Sequence, residues 1–159
     1  MKKLLYAAWL MAVALPAYGQ CFYWLYGGKV MYKDGTEQVF NGMRCMYSGR
    51  LYWSRDAEVL KKSYTKTTSI DMDAIARVDF SGDADGSVRQ GTVTLRNGEK
   101  FENIFLYAGE CRWARFEHNT YNCDDKPIVE ADWTDPSISA IVITRTPKSA
   151  TTSTPKKTK

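Results

Sequence analysis

Two dipeptides constrain this chain more than any other feature: Asp34-Gly35 and Asn97-Gly98. The first follows Val30-Met31-Tyr32-Lys33 and the second follows Val93-Thr94-Leu95-Arg96, both strand-like runs. A type I′ hairpin needs positive φ at two successive residues, and Asp-Gly and Asn-Gly meet that need with little strain. Two such hairpins commit the chain to antiparallel sheet. The turns lie 63 residues apart. The segments IARVDF (Ile75 to Phe80) and ISAIVI (Ile138 to Ile143) keep that offset, each after a short acidic turn-like piece, DMDA or TDPS. TEQVFNGM matches EKFENIF after a one-residue slip. The repeated turn chemistry and strand pattern read as an internal duplication.

The rest of the body is dense in Tyr, Phe, Trp, Val, Ile and Thr, which suit a pleated, half-buried surface. Each repeat runs strand, tight turn, strand, strand (RLYWS from Arg50, CRWARF from Cys111), a less clear strand, a short turn and a final strand. That order and size have the pattern of a small five-stranded barrel of the SH3 or Sm kind. The expected fold is all-β: two tandem, internally duplicated barrel units over 20–82 and 83–145. The alternative is one β-sandwich built from both halves. Ser81 to Gly91 is the expected junction, and Arg55 to Lys66 is the one stretch with helical character. From Thr146 the chain is almost entirely Thr, Ser, Pro and Lys. Such a tail, 146–159, cannot bury enough apolar surface to offset its ordering entropy and is expected to be disordered.

The start of the chain carries an address. Lys2 and Lys3 precede LLYAAWLMAVAL (Leu4 to Leu15), an uncharged stretch too short to span a bilayer, which takes about 20 apolar residues. Pro16 and the Ala17-Tyr18-Gly19 exit complete a secretory signal peptide, 1–19. Gln20 precedes Cys21 where a lipoprotein needs a small residue, so no lipid anchor is expected. The expected location is periplasmic or secreted, and the protein is not expected to be integral to a membrane. Four cysteines, Cys21, Cys45, Cys111 and Cys123, then read as a disulfide set. Four allow three connectivities, and the spacing favours one pair in each half, with Cys111 and Cys123 flanking a hairpin at Glu117-His118-Asn119. There is no CxxC and only one histidine, so neither a metal site nor a cofactor is expected.

The net charge of +4 resides in the termini: Lys2, Lys3, Lys148, Lys156, Lys157 and Lys159 supply it, and Gln20 to Arg145 is close to neutral. Such a body has no electrostatic footprint for nucleic acid. Asp83-Ala84-Asp85-Gly86 has part of a calcium-loop pattern, but Ser81 and Thr92 stand where its end ligands belong, so it reads as a polar turn. His118 lacks a catalytic partner, and no nucleophile motif is present. The acids Asp124, Asp125, Glu130, Asp132 and Asp135 are the only basis for an enzyme, an envelope hydrolase acting on glycans. The aromatic surplus is more informative. Tyr, Trp and Arg dominate binding hot spots, and Tyr52, Trp53, Arg112, Trp113, Arg115 and Trp133 are the candidate binding residues. The function expected is a non-catalytic binding or assembly module of the cell envelope, with an envelope or secreted protein, or a glycan, as its partner. A secreted inhibitor that inserts the loop EHNTYN (Glu117 to Asn122) is a further alternative.

Overall fold

A computed structural model of the chain describes residues 26–45, 49–118 and 125–144. The signal segment, Cys21, Cys123 and the tail lie outside the described residues. The strands are β1 (Gly28–Tyr32), β2 (Glu37–Phe40), β3 (Gly42–Cys45), β4 (Arg50–Ser54), β5 (Thr68–Asp71), β6 (Ile75–Phe80), β7 (Val88–Leu95), β8 (Lys100–Tyr107), β9 (Cys111–Arg115), β10 (Val129–Asp132) and β11 (Ile138–Ile143). One helix, α1 (Ala57–Ser63), falls within the stretch with helical character. Asp56 caps it by accepting from the Glu58 N–H at 2.9 Å.

The protein is mostly β-sheet. Eight strands form one sheet in the order β2-β1-β11-β6-β7-β8-β4-β5, and β10-β9-β3 form a second. Every pairing is antiparallel. Only Asn41 separates β2 from β3, so the chain bends from one sheet into the other there. Both sheets are open. This corrects the expectation of closed barrels: β6 and β11, the strands expected to end the two units, pair with one another instead of sealing two separate units. Strands from before and after the junction therefore alternate. Hairpin β1–β2 docks on β11, and hairpin β7–β8 lies between β6 and β4.

The register of these pairings repeats with the sequence. Val30 faces Ile141, and 63 residues on Val93 faces Val78. Met31 faces Ala140 and Thr94 faces Arg77; Tyr32 faces Ile138 and Leu95 faces Ile75, each after a bulge. Lys33 N–H donates to the Ser137 carbonyl and Arg96 N–H to the Ala74 carbonyl, both at 2.8 Å. Gly28 and Gly91 are glycine for one reason. A Cβ would run into the Val142 carbonyl oxygen at the first and stand 2.5 Å from that of Asp79 at the second. In the middle, Val78 faces Ile141, and these two residues are themselves 63 apart.

The two hairpin turns differ from the type I′ expectation. Only Gly35 (φ 87°) and Gly98 (φ 89°) have positive φ; Asp34 and Asn97 do not. Tyr32 N–H reaches the Thr36 carbonyl and Leu95 N–H the Glu99 carbonyl, at 2.9 and 2.8 Å. Each turn is one residue longer than expected, with the glycine in the left-handed position that follows a type I turn. The Asp34 and Asn97 side chains close them by accepting from the Thr36 and Glu99 N–H groups, each at 2.9 Å.

The single described disulfide joins Cys45 on β3 to Cys111 on β9, which face one another in the ladder. This corrects the pairing within halves: sheet register, not nearness in sequence, brings the two sulfurs together. The core gathers Val30, Phe40, Met43, Leu51, Val78, Val93, Ile104, Leu106, Trp113, Trp133 and Ile141 from both sides of the junction. Among the described residues one charged side chain is buried in it. Arg89 is 1% exposed. It donates to the carbonyls of Gly82 (2.8 Å), Trp133 (2.8 Å), Asp135 (2.8 Å) and Ile138 (2.6 Å), and lies over the Phe80 ring. Burial holds its guanidinium below the ordinary value.

Candidate functional site

The hairpin β1–β2 lies at one end of the large sheet. In an antiparallel ladder, alternate residues bond inward to the partner strand. Tyr32 bonds to Thr36, so Gln38 and Phe40 bond to β1 while Glu37 and Val39 turn their N–H and C=O groups outward. Among the described residues no strand takes that outer side until Asn41, whose N–H reaches the Ala114 carbonyl at 3.2 Å. Val39 is 64% exposed there. Where β2 parts from β9, a groove of about 630 Å³ opens, lined by Tyr32, Thr36, Glu37, Gln38, Val39 and Arg115. A smaller groove of about 400 Å³ shares Tyr32 and Thr36 with it and is bounded also by Lys33, Asp34 and Ser137.

The lining is mixed in character. The Tyr32 hydroxyl donates to Gln38 Oε1 at 3.4 Å, and burial, reinforced by Asp135 and Asp34, raises its pKa. Glu37 is held by Lys29 at 2.9 Å. Lys33 is held by Asp83 at 2.9 Å, and that contact keeps the Asp83 carboxyl below its ordinary value. Arg115 is exposed at the end of β9, and its guanidinium has no hydrogen-bond or ion-pair partner among the described residues. The groove thus offers outward backbone groups on one wall and, on the other, a positive charge that no described residue pairs.

The candidate binding residues are dispersed. Trp113 and Trp133 are fully buried, so their side chains belong to the core. Trp53 is half-buried against Phe101, with ring centroids 5.2 Å apart. Tyr52 meets the edge of Tyr64, which stacks on Tyr107 at 4.3 Å. Arg112 is held by Glu130 and Asp132, each at 2.7 Å. Of the six, Arg115 alone lines the groove. Burial in CRWARF does not alternate: Cys111, Trp113, Ala114 and Phe116 are all buried, Phe116 against the bare backbone of Gly42. Tyr32, Gln38 and Val39 went unnoticed in the sequence because nothing local separates an edge strand from an inner one.

The acids are taken up locally. Besides the pair on Arg112, Asp135 accepts from the Ser137 N–H and hydroxyl, and Asp85 binds Lys61. Asp124 lies outside the described residues. Among the described residues no cluster of three His, Cys, Asp or Glu side chains is arranged to hold a metal ion, and no helix is long and apolar enough to cross a membrane. Compared with known proteins, the chain matches no family model, no curated protein and no solved structure.

Proposed function

We propose that the protein is an exported, non-catalytic binding or assembly module that takes an extended segment of a protein partner along the free edge of β2. The observation that carries this reading is the groove between that edge and Arg115. A strand added to an exposed sheet edge gains affinity from main-chain hydrogen bonds and specificity from the side-chain pockets beside them. The Cys45–Cys111 disulfide supports an oxidising compartment. The repeated register supports a scaffold that arose by duplication, with the hairpins of the two halves exchanged across the Val78–Ile141 pair.

The test is cross-linking of the tagged protein in its native compartment, with mass spectrometry of the adducts. The expected result is one recurrent protein, linked through residues around Glu37–Phe40 and Arg115. Val39→Pro removes an outward N–H without touching the bonds to β1, and Arg115→Glu reverses the charge; together they should abolish the adduct. The same adduct recovered undiminished from the double variant would sink the reading.

A further inference from the structure

The register brings a second place into correspondence with the groove. Gln38 faces Val30 on its hairpin, and Phe101 faces Val93 on the other. Trp113 faces Met43 on the strand that follows, and Trp53 faces Leu106. One residue further, Ala114 faces Gly42 and Ser54 faces Phe105. Gln38 with Trp113 therefore corresponds to Phe101 with Trp53. Where the second hairpin carries Phe101, its ring packs on Trp53 and, with Leu95, against the core. Where the first carries Gln38, the neighbour corresponding to Leu95 is Tyr32, and the groove stands open. Two further features set the open position apart: Arg115, whose guanidinium has no partner among the described residues, and the outward backbone of Glu37 and Val39.

We infer that the groove receives an aromatic side chain of the bound segment, seated beside Gln38 as Phe101 is seated on the other hairpin, with Arg115 meeting an acidic residue next to it. The occupant is a separate protein's extended segment carrying an aromatic and an adjacent acidic residue. This rests on the edge-strand reading above and names its specificity. The chemistry of the lining agrees. The Tyr32 ring, on the same face as Gln38, offers apolar contact to a ring, the Gln38 amide suits a ring's polar edge, and a guanidinium prefers a carboxylate.

The experiment uses the full chain and capped, extended heptapeptides of Thr, Ser and Val. Their central residue is Tyr, Phe or Ala, with or without a neighbouring Asp. Binding is read from the backbone amide shifts of Glu37, Gln38 and Val39 and the Arg115 Nε–H. An aromatic centre should bind about tenfold tighter than Ala, the gain expected of one buried ring contact. The Asp increment should vanish in Arg115→Gln. Gln38→Phe, which copies the occupied position, should abolish the aromatic preference without lowering the melting temperature. Should that variant fail to fold, Gln38→Leu supplies the same test. Peptides that shift the β2 amides with no aromatic preference would overturn the inference and leave the edge-strand reading standing. Peptides of every kind leaving those amides unmoved would overturn both.

Discussion

Arg89 shows how much one residue can organise. Among the described residues its guanidinium has no carboxylate partner; four main-chain carbonyls, three from two loops and one from the first residue of β11, satisfy it instead. Arg89→Met should leave those acceptors unpaired and lower stability by about 3 kcal/mol or more, measured by urea unfolding. Arg89→Lys should fall between, because a single ammonium cannot span the four carbonyls. The glycines give a second contrast. Gly28→Ala and Gly91→Ala force a methyl into a neighbouring strand's carbonyl, and each should lose about 1–3 kcal/mol. Gly82→Ala meets open space and should stay within about 0.5 kcal/mol of the parent. Asp83 sets a pH dependence. Lys33 holds its folded-state pKa below the unfolded value of about 3.9. Its stabilisation is therefore full above that value and is lost as pH falls through the folded pKa. Melting temperatures measured down to about pH 2 should fall less steeply in Asp83→Asn than in the parent.

Between elements, the strongest tie is Cys45–Cys111, which closes a loop across a sequence separation of 66. Replacing both cysteines with alanine should remove about 4 kcal/mol in the chain-entropy model, and non-reducing peptide mapping should recover the Cys45–Cys111 pair. At this scale the sequence was readable wherever structure is local. Asp34-Gly35 and Asn97-Gly98 announced both hairpins, and the short helix falls within Arg55 to Lys66. The pairing of distant strands was not readable. Val78 is equally suited to face Val30 or Val93, because side-chain pattern specifies which face is buried, not which strand lies alongside. The cysteine pairing failed for the same reason, since it follows the β3–β9 register. The groove was hidden too. Arg115 stands out by residue type, but Gln38 acquires meaning only from strand register, which sets it against Val30 as Phe101 is set against Val93.

Across the whole molecule, strands from before and after the junction contribute to one core. Neither side buries its apolar face without the other. Heat and urea should therefore each give one transition, with far-ultraviolet circular dichroism and tryptophan fluorescence coincident. Two separated transitions would show that the halves are independent. The pairing of β1 with β11 also sets a schedule. The first described strand takes its inner neighbour from Ile138–Ile143, the last. A chain that emerges from its N-terminus holds hairpin β1–β2 undocked until β11 has appeared. During that wait β6 is already present, and in register terms it is the counterpart of the β11 that the hairpin awaits. Ordering thus becomes a race between the early, nearby strand and the late, correct one. The arrival of hairpin β7–β8 on β6 ends it by removing the competitor.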